Sequence, residues 1–162
     1  MKFLVSLASC SIANAQSLDA LTVDADAIRA CHTSTPIGTI YPDCLGQASN
    51  ACQAQDGGST TQGIAACISA ETAVWDALLN EEYQALRAHF SGVQGGGTDA
   101  TTDELLDYLR GAQRAWIAFR DADCDLRYTQ YQGGAIRSIV GANCRMTKTA
   151  SRALELRDMR QP

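Results

Sequence analysis

Histidine is scarce in this chain: there are two, His32 and His89, among 162 residues. Neither sits in a recognisable metal-ligand or catalytic pattern. No H-E-x-x-H, G-x-S-x-G or C-x-x-C occurs. Nucleophilic catalysis by Ser or Cys needs a nearby base held by a third group, and the sequence supplies no such set. Acidic residues number 18, so two of them meeting in space would say nothing about glycosidase chemistry. These absences point to a protein that is not an enzyme and carries no cofactor and no metal.

Other deficits bound the fold. There are three prolines, and only 6% of residues are aromatic although 46% are hydrophobic. The apolar content is therefore mostly Ala, Leu, Ile and Val, a composition that favours helices. No stretch beyond the N-terminus is apolar and long enough to span a bilayer. The formal net charge is −5, which argues against nucleic acid as a partner.

The N-terminus reads as a leader. MKFLVSLASCSIANAQ carries a lysine, an apolar run from Phe3 to Leu7 and small residues at Ala13 and Ala15. The small-x-small rule predicts a signal peptide over residues 1–15, cleavage after Ala15, and a periplasmic or secreted mature chain from Gln16. The rival reading uses Leu7-Ala8-Ser9-Cys10, which resembles a lipoprotein box and would leave Cys10 lipid-anchored. Its apolar region is very short, so soluble export is preferred.

Removing the leader turns seven cysteines into six: Cys31, Cys44, Cys52, Cys67, Cys124 and Cys144. An even number in an exported chain implies disulfides. Spacing alone leaves all their connectivities open.

Charge is unevenly divided. Residues 16–107 hold 13 acids and two bases, whereas residues 108–162 hold ten bases and five acids. The simplest account is two halves that fold against each other. The alternative is an acidic face that attracts a basic partner.

Hydrophobic spacing predicts the architecture. From Gly63 to Ser91, Trp75, Leu79, Tyr83, Leu86 and Phe90 recur every three or four residues, one face of a helix. Asp76, Glu81, Glu82 and Arg87 are expected on its other, exposed face. Glycines in GVQGGGTDATT end it. Thr101 with Glu104 has capping-box spacing and opens a second long helix, running to about Tyr128. Leu105, Leu109, Ala112, Trp116 and Phe119 form its predicted buried stripe. Shorter helical pieces are expected near Asp24–Cys31 and from Pro42 to Cys52. Residues 55–62 read as a polar loop. Ala135–Met159 is expected to break near Gly141-Ala142-Asn143. The fold class is all-α: a small antiparallel helical bundle stapled by disulfides. Residues 16–62 form a cysteine-bearing extension packed as one unit with a domain over 63–160.

The stretch AQRAWIAFRDADC, residues 112–124, concentrates unusual chemistry on the second long helix. It fails as a calcium loop, because the glycine and glutamate positions of an EF-hand fall on Leu126 and Gln132. Its expected role is structural: Trp116 fills the core, Cys124 anchors a disulfide, and Arg120 and Asp121 fix neighbouring elements.

Several motifs together resemble the lysozyme-inhibitor LprI-like family of exported bacterial proteins. They are Cys67 with Glu71; Trp75-Asp76 with Leu79-Asn80 and Tyr83; Gln113-Arg114-Ala115-Trp116-Ile117, Arg120-Asp121-Ala122 and Cys124; and Cys144 with Arg152 and Leu156. The resemblance spans about Gly63 to Arg157. It implies structural roles for Glu71, Trp75, Asn80, Tyr83, Gln113, Trp116, Arg120, Asp121 and Arg152. It also implies pairing of cysteines in sequence order, Cys52 with Cys67 and Cys124 with Cys144, which leaves Cys31 with Cys44. By function it implies binding and inhibition of lysozyme or a related muramidase. Asp76, Glu81 and Glu82 are then candidates for meeting a basic enzyme. The other function to weigh is a non-catalytic interaction module whose partner is another envelope protein.

Overall fold

The computed structural model describes residues 18–92 and 101–161. The expected leader over residues 1–15, with Cys10, and most of the glycine-rich linker lie outside the described residues.

Among the described residues, five α-helices follow a short 3-10 turn at Leu18–Ala20: α1 (Ala25–Ser34), α2 (Gln47–Cys52), α3 (Thr61–Gly92), α4 (Thr102–Gln130) and α5 (Arg137–Asp158). There is no strand among the described residues. The chain is all-α, as its composition and spacing predict.

The three long helices make the bundle. α5 packs most extensively on α3 and next on α4. Contacts along α4 and α5 run in opposite order: Gln113 meets Arg152, Arg120 meets Thr149, and Cys124 meets Cys144. α4 is therefore antiparallel to α5. Asp76 beside Arg120, and Ser69 beside Tyr128, show the same for α3 and α4.

The core is mostly aliphatic. Trp75, Leu78, Leu79 and Leu86 of α3 face Ala150, Ala153, Leu154 and Leu156 of α5. Burying a large apolar side chain contributes roughly 1.5–3 kcal/mol. The alanines of α5 let α3 approach closely. α4 begins with the capping box expected of Thr101 and Glu104: each satisfies a backbone amide at the helix start. That hydrogen bonding holds the Glu104 carboxyl below its ordinary pKa.

Three disulfides pair neighbouring cysteines in sequence order: Cys31–Cys44, Cys52–Cys67 and Cys124–Cys144. The first ties α1 to the segment before α2, the second ties α2 to α3, and the third ties α4 to α5. Loops of these lengths each limit the unfolded chain by about 3 kcal/mol.

Glu71 explains how the extension docks. Its carboxylate is buried in α3 and accepts hydrogen bonds from the amides of Gly46 and Ser49, each at 2.8 Å, and from Trp75 Nε1 at 3.2 Å. Gly46 is the N-cap of α2 and adopts φ +88, so it has no side chain with which to cap its own helix. The carboxylate of another helix supplies that cap.

Four expectations need correction. α5 is continuous through Gly141, where a break was expected. A Cβ there would sit 3.2 Å from the Tyr128 side chain, so this glycine serves close helix packing, not a turn. Trp116 is only partly buried, and Ala112 and Phe119 of the same predicted stripe are exposed, Phe119 by 57%. α5 covers a narrow stripe of α4 centred on Leu109, Gln113 and Cys124, and the predicted stripe drifts off it. The tryptophan that fills the core is Trp75, with no exposed surface. Finally, Glu82 is not on an exposed face but is buried.

Candidate functional site

Glu82 is buried because α1 and the C-terminus close over it. Its carboxylate pairs with Arg160 and lies 3.4 Å from His32 Nε2, a separation without hydrogen-bond geometry. His32 packs edge-on against Trp75, and its carbonyl accepts from Arg157. Burial pushes the His32 pKa down; Glu82 and Glu81 oppose that, and Arg157 and Arg160 reinforce it. Glu81 is exposed but engaged, its two oxygens accepting from Arg29 at 2.9 and 3.0 Å. That hydrogen bonding holds its carboxyl below the ordinary range. Asp76 is exposed and engaged too: its carboxylate lies 3.8 Å from Arg120 and accepts from Asn80 at 3.4 Å.

Asp76 belongs to a different feature. α3 and α4 touch less than either touches α5. Between them runs an open groove of about 510 Å³. Its α3 wall carries Asp76, Leu79, Asn80, Tyr83 and Arg87, and its α4 wall carries Arg110, Gln113, Arg114, Trp116, Ile117 and Arg120. The LN..Y and QRAWI.FR motifs, over 25 residues apart in the chain, thus line one groove.

The groove is held by a polar floor. Gln113 is buried and accepts from Arg152 Nε at 3.1 Å. Arg152 also binds Glu155 at 3.0 Å and lies over the Trp116 ring. Arg120 lies 5.1 Å from the same ring and donates from Nε to Asp121 at 2.9 Å. Two guanidinium groups therefore fix the Trp116 plane by cation–π contact. Asn80 reaches Asp76 at 3.4 Å, and Arg87 stacks on Tyr83.

The other residues singled out by sequence divide cleanly. Glu71 and Trp75 are buried on the far side of α3, with Trp75 donating to Glu71. Asp121 stays at the edge of the groove through Arg120. Asp123 accepts from Arg127 and pairs with Lys148, contacts that lower its pKa. Asp123, Cys124 and Cys144 form the one cluster of metal-ligand type among the described residues, but both sulfurs are joined to each other. A disulfide offers no thiolate to a metal.

Sequence reasoning names Arg87 on the exposed face of its helix and Arg114 within the motif without placing either in a groove, and it misses Arg110. The signal was present: two antiparallel helices joined by the 93–100 linker put residues 83–87 opposite 110–114. The groove consequently concentrates four arginines against one acid in a chain of net charge −5.

The comparisons agree with this motif set. The family model described as lysozyme inhibitor LprI matches residues 52–156. An uncharacterised protein of Rhizobium meliloti (strain 1021) is 30% identical over 95 residues, 57% of this chain and 68% of that protein. The uncharacterised protein YecT of Escherichia coli (strain K12) is 35% identical over 63 residues, 39% of each chain. No solved structure matches. With a family match over more than half its length, reaching from Cys52 through both groove motifs to Leu156, the chain belongs to the lysozyme inhibitor LprI family.

Proposed function

We propose that this is an exported, non-catalytic envelope protein that binds lysozyme or a related muramidase and blocks its cleft or a surface beside it. The observation that carries the reading is the match of residues 52–156 to the lysozyme inhibitor LprI family. The leader-like sequence of residues 1–15 supports this reading of export, and no described helix is long and apolar enough to cross a membrane.

The α3–α4 groove is the contact surface in this reading. It is open, polar at its floor, and walled by Trp116, Tyr83 and arginines, residue types enriched where binding energy concentrates. Charge acts at two ranges. The net charge of −5 draws in a basic enzyme from a distance. At contact, Arg87 and Arg114 meet acidic groups of the partner, and Asp76 meets a basic one. Catalysis in lysozymes depends on two carboxylates in the cleft, so an arginine-bearing surface suits that region.

Calorimetric titration of oxidised protein against several purified lysozymes tests this. Binding is expected to weaken between low and physiological salt. Arg87→Glu is expected to weaken binding about tenfold or more, with an unchanged melting temperature. Binding to no lysozyme, with groove and fold intact, would reject the proposal.

A further inference from the structure

The flank of α4 turned away from the groove carries a second surface. Tyr108, Ala112, Ala115, Phe119, Ala122 and Leu126 recur at steps of four, three, four, three and four, and all six are exposed. Tyr108 is 77%, Phe119 57% and Leu126 58% exposed. A stripe with this heptad spacing is the seam that one helix presents to another. Among the described residues Lys148 of α5 reaches the Phe119 ring, 4.4 Å from its centroid, and the six side chains otherwise remain exposed.

We infer that this stripe is a homodimer interface, in which α4 pairs antiparallel with α4 of a second copy. The stripe is self-complementary about a two-fold axis at residue 117. When Phe119 is set against Ala115 of the second copy, Ala112 falls against Ala122 and Tyr108 against Leu126. The bulky Phe119 then fills the space above a small residue, as interdigitated packing requires. A parallel pairing would instead put Phe119 on Phe119 and leave alanines facing alanines. Gly111 and Ala118 flank the stripe and keep the approach close.

The area is sufficient for a reversible dimer. The exposed parts of the six side chains amount to roughly 500–600 Å² per protomer, near the lower limit for specific interfaces. An interface of that size suits a weak, reversible dimer.

The test is sedimentation equilibrium of the oxidised chain from about 1 to several hundred micromolar, a range in which weak, reversible pairing is read. The expected mass doubles with concentration. Phe119→Glu and Ala115→Glu are each expected to remain monomeric at every concentration with unaltered melting, since both positions are exposed. In a mixture, Ala112→Cys and Ala122→Cys proteins are expected to cross-link to each other far more than either does to itself. A monomer throughout would overturn the proposal, as would a dimer that survives both Glu variants. Self-cross-linking of either cysteine variant would overturn the antiparallel register. Neither Glu variant touches the groove, so the outcome is independent of lysozyme binding.

Discussion

Replacing Glu71 with glutamine removes one oxygen and one charge and changes little else in shape. In the native chain one carboxylate oxygen accepts from Gly46 N and Trp75 Nε1, and the other accepts from Ser49 N. Glutamine keeps one acceptor. If its oxygen stays with Gly46 and Trp75, its amide group confronts the Ser49 N–H, donor against donor, in a site that is 1% exposed. Flipping the amide instead orphans the other two donors. Leaving one buried donor unpaired costs about 1–3 kcal/mol, and losing the charge-assisted bonds adds to that. A total of about 2–4 kcal/mol corresponds to a fall of roughly 5–15 °C in melting temperature for a chain of this length. Thermal melts followed by circular dichroism measure it. Amide exchange at Ser49 provides a local readout, because loss of the cap frees the first turn of α2. A glutamine variant melting within about 2 °C of the parent, with Ser49 still protected, would refute the account of how the extension is docked.

Two further predictions concern the core and its pH dependence. Trp75→Ala removes a side chain with no exposed surface and is expected to cost about 3–5 kcal/mol, whereas the half-buried Trp116 is expected to cost about half as much; urea midpoints of the two variants check the order. His32 has a folded pKa below 6.5, so its contribution is present above that value and is lost as pH falls through it toward the folded pKa. Stability is therefore expected to fall from pH 7.5 to pH 5.5, above the range where carboxylates titrate, and His32→Gln is expected to flatten that slope in urea titrations.

Much of the fold is legible in the sequence for local reasons. The α3 stripe from Trp75 to Phe90, the Thr101–Glu104 cap and the glycines of the linker each act within a few residues of chain. Errors arise where tertiary contact decides. Gly141 reads as a breaker until Tyr128 is found packed against it. Phe119 and Trp116 read as core because spacing shows that a helix has an apolar side, but not which other helix covers it. α4 has two such sides, and α5 covers only the stripe between them. Glu82 reads as exposed because its burial depends on Arg160 and His32, which lie far away in sequence. The groove was partly legible: the motif residues Asn80, Tyr83, Gln113, Trp116 and Arg120 all belong to it. The neighbouring arginines became visible only once the two helices were set side by side.

The central claim is inhibition of a muramidase, and the most direct measurement is the rate at which lysozyme clears a bacterial cell-wall suspension in the presence of the purified, oxidised chain. The account predicts dose-dependent slowing, lost when the three disulfides are reduced and diminished by Arg87→Glu. Undiminished clearing across several lysozyme types, by protein that is folded and disulfide-bonded, would contradict it.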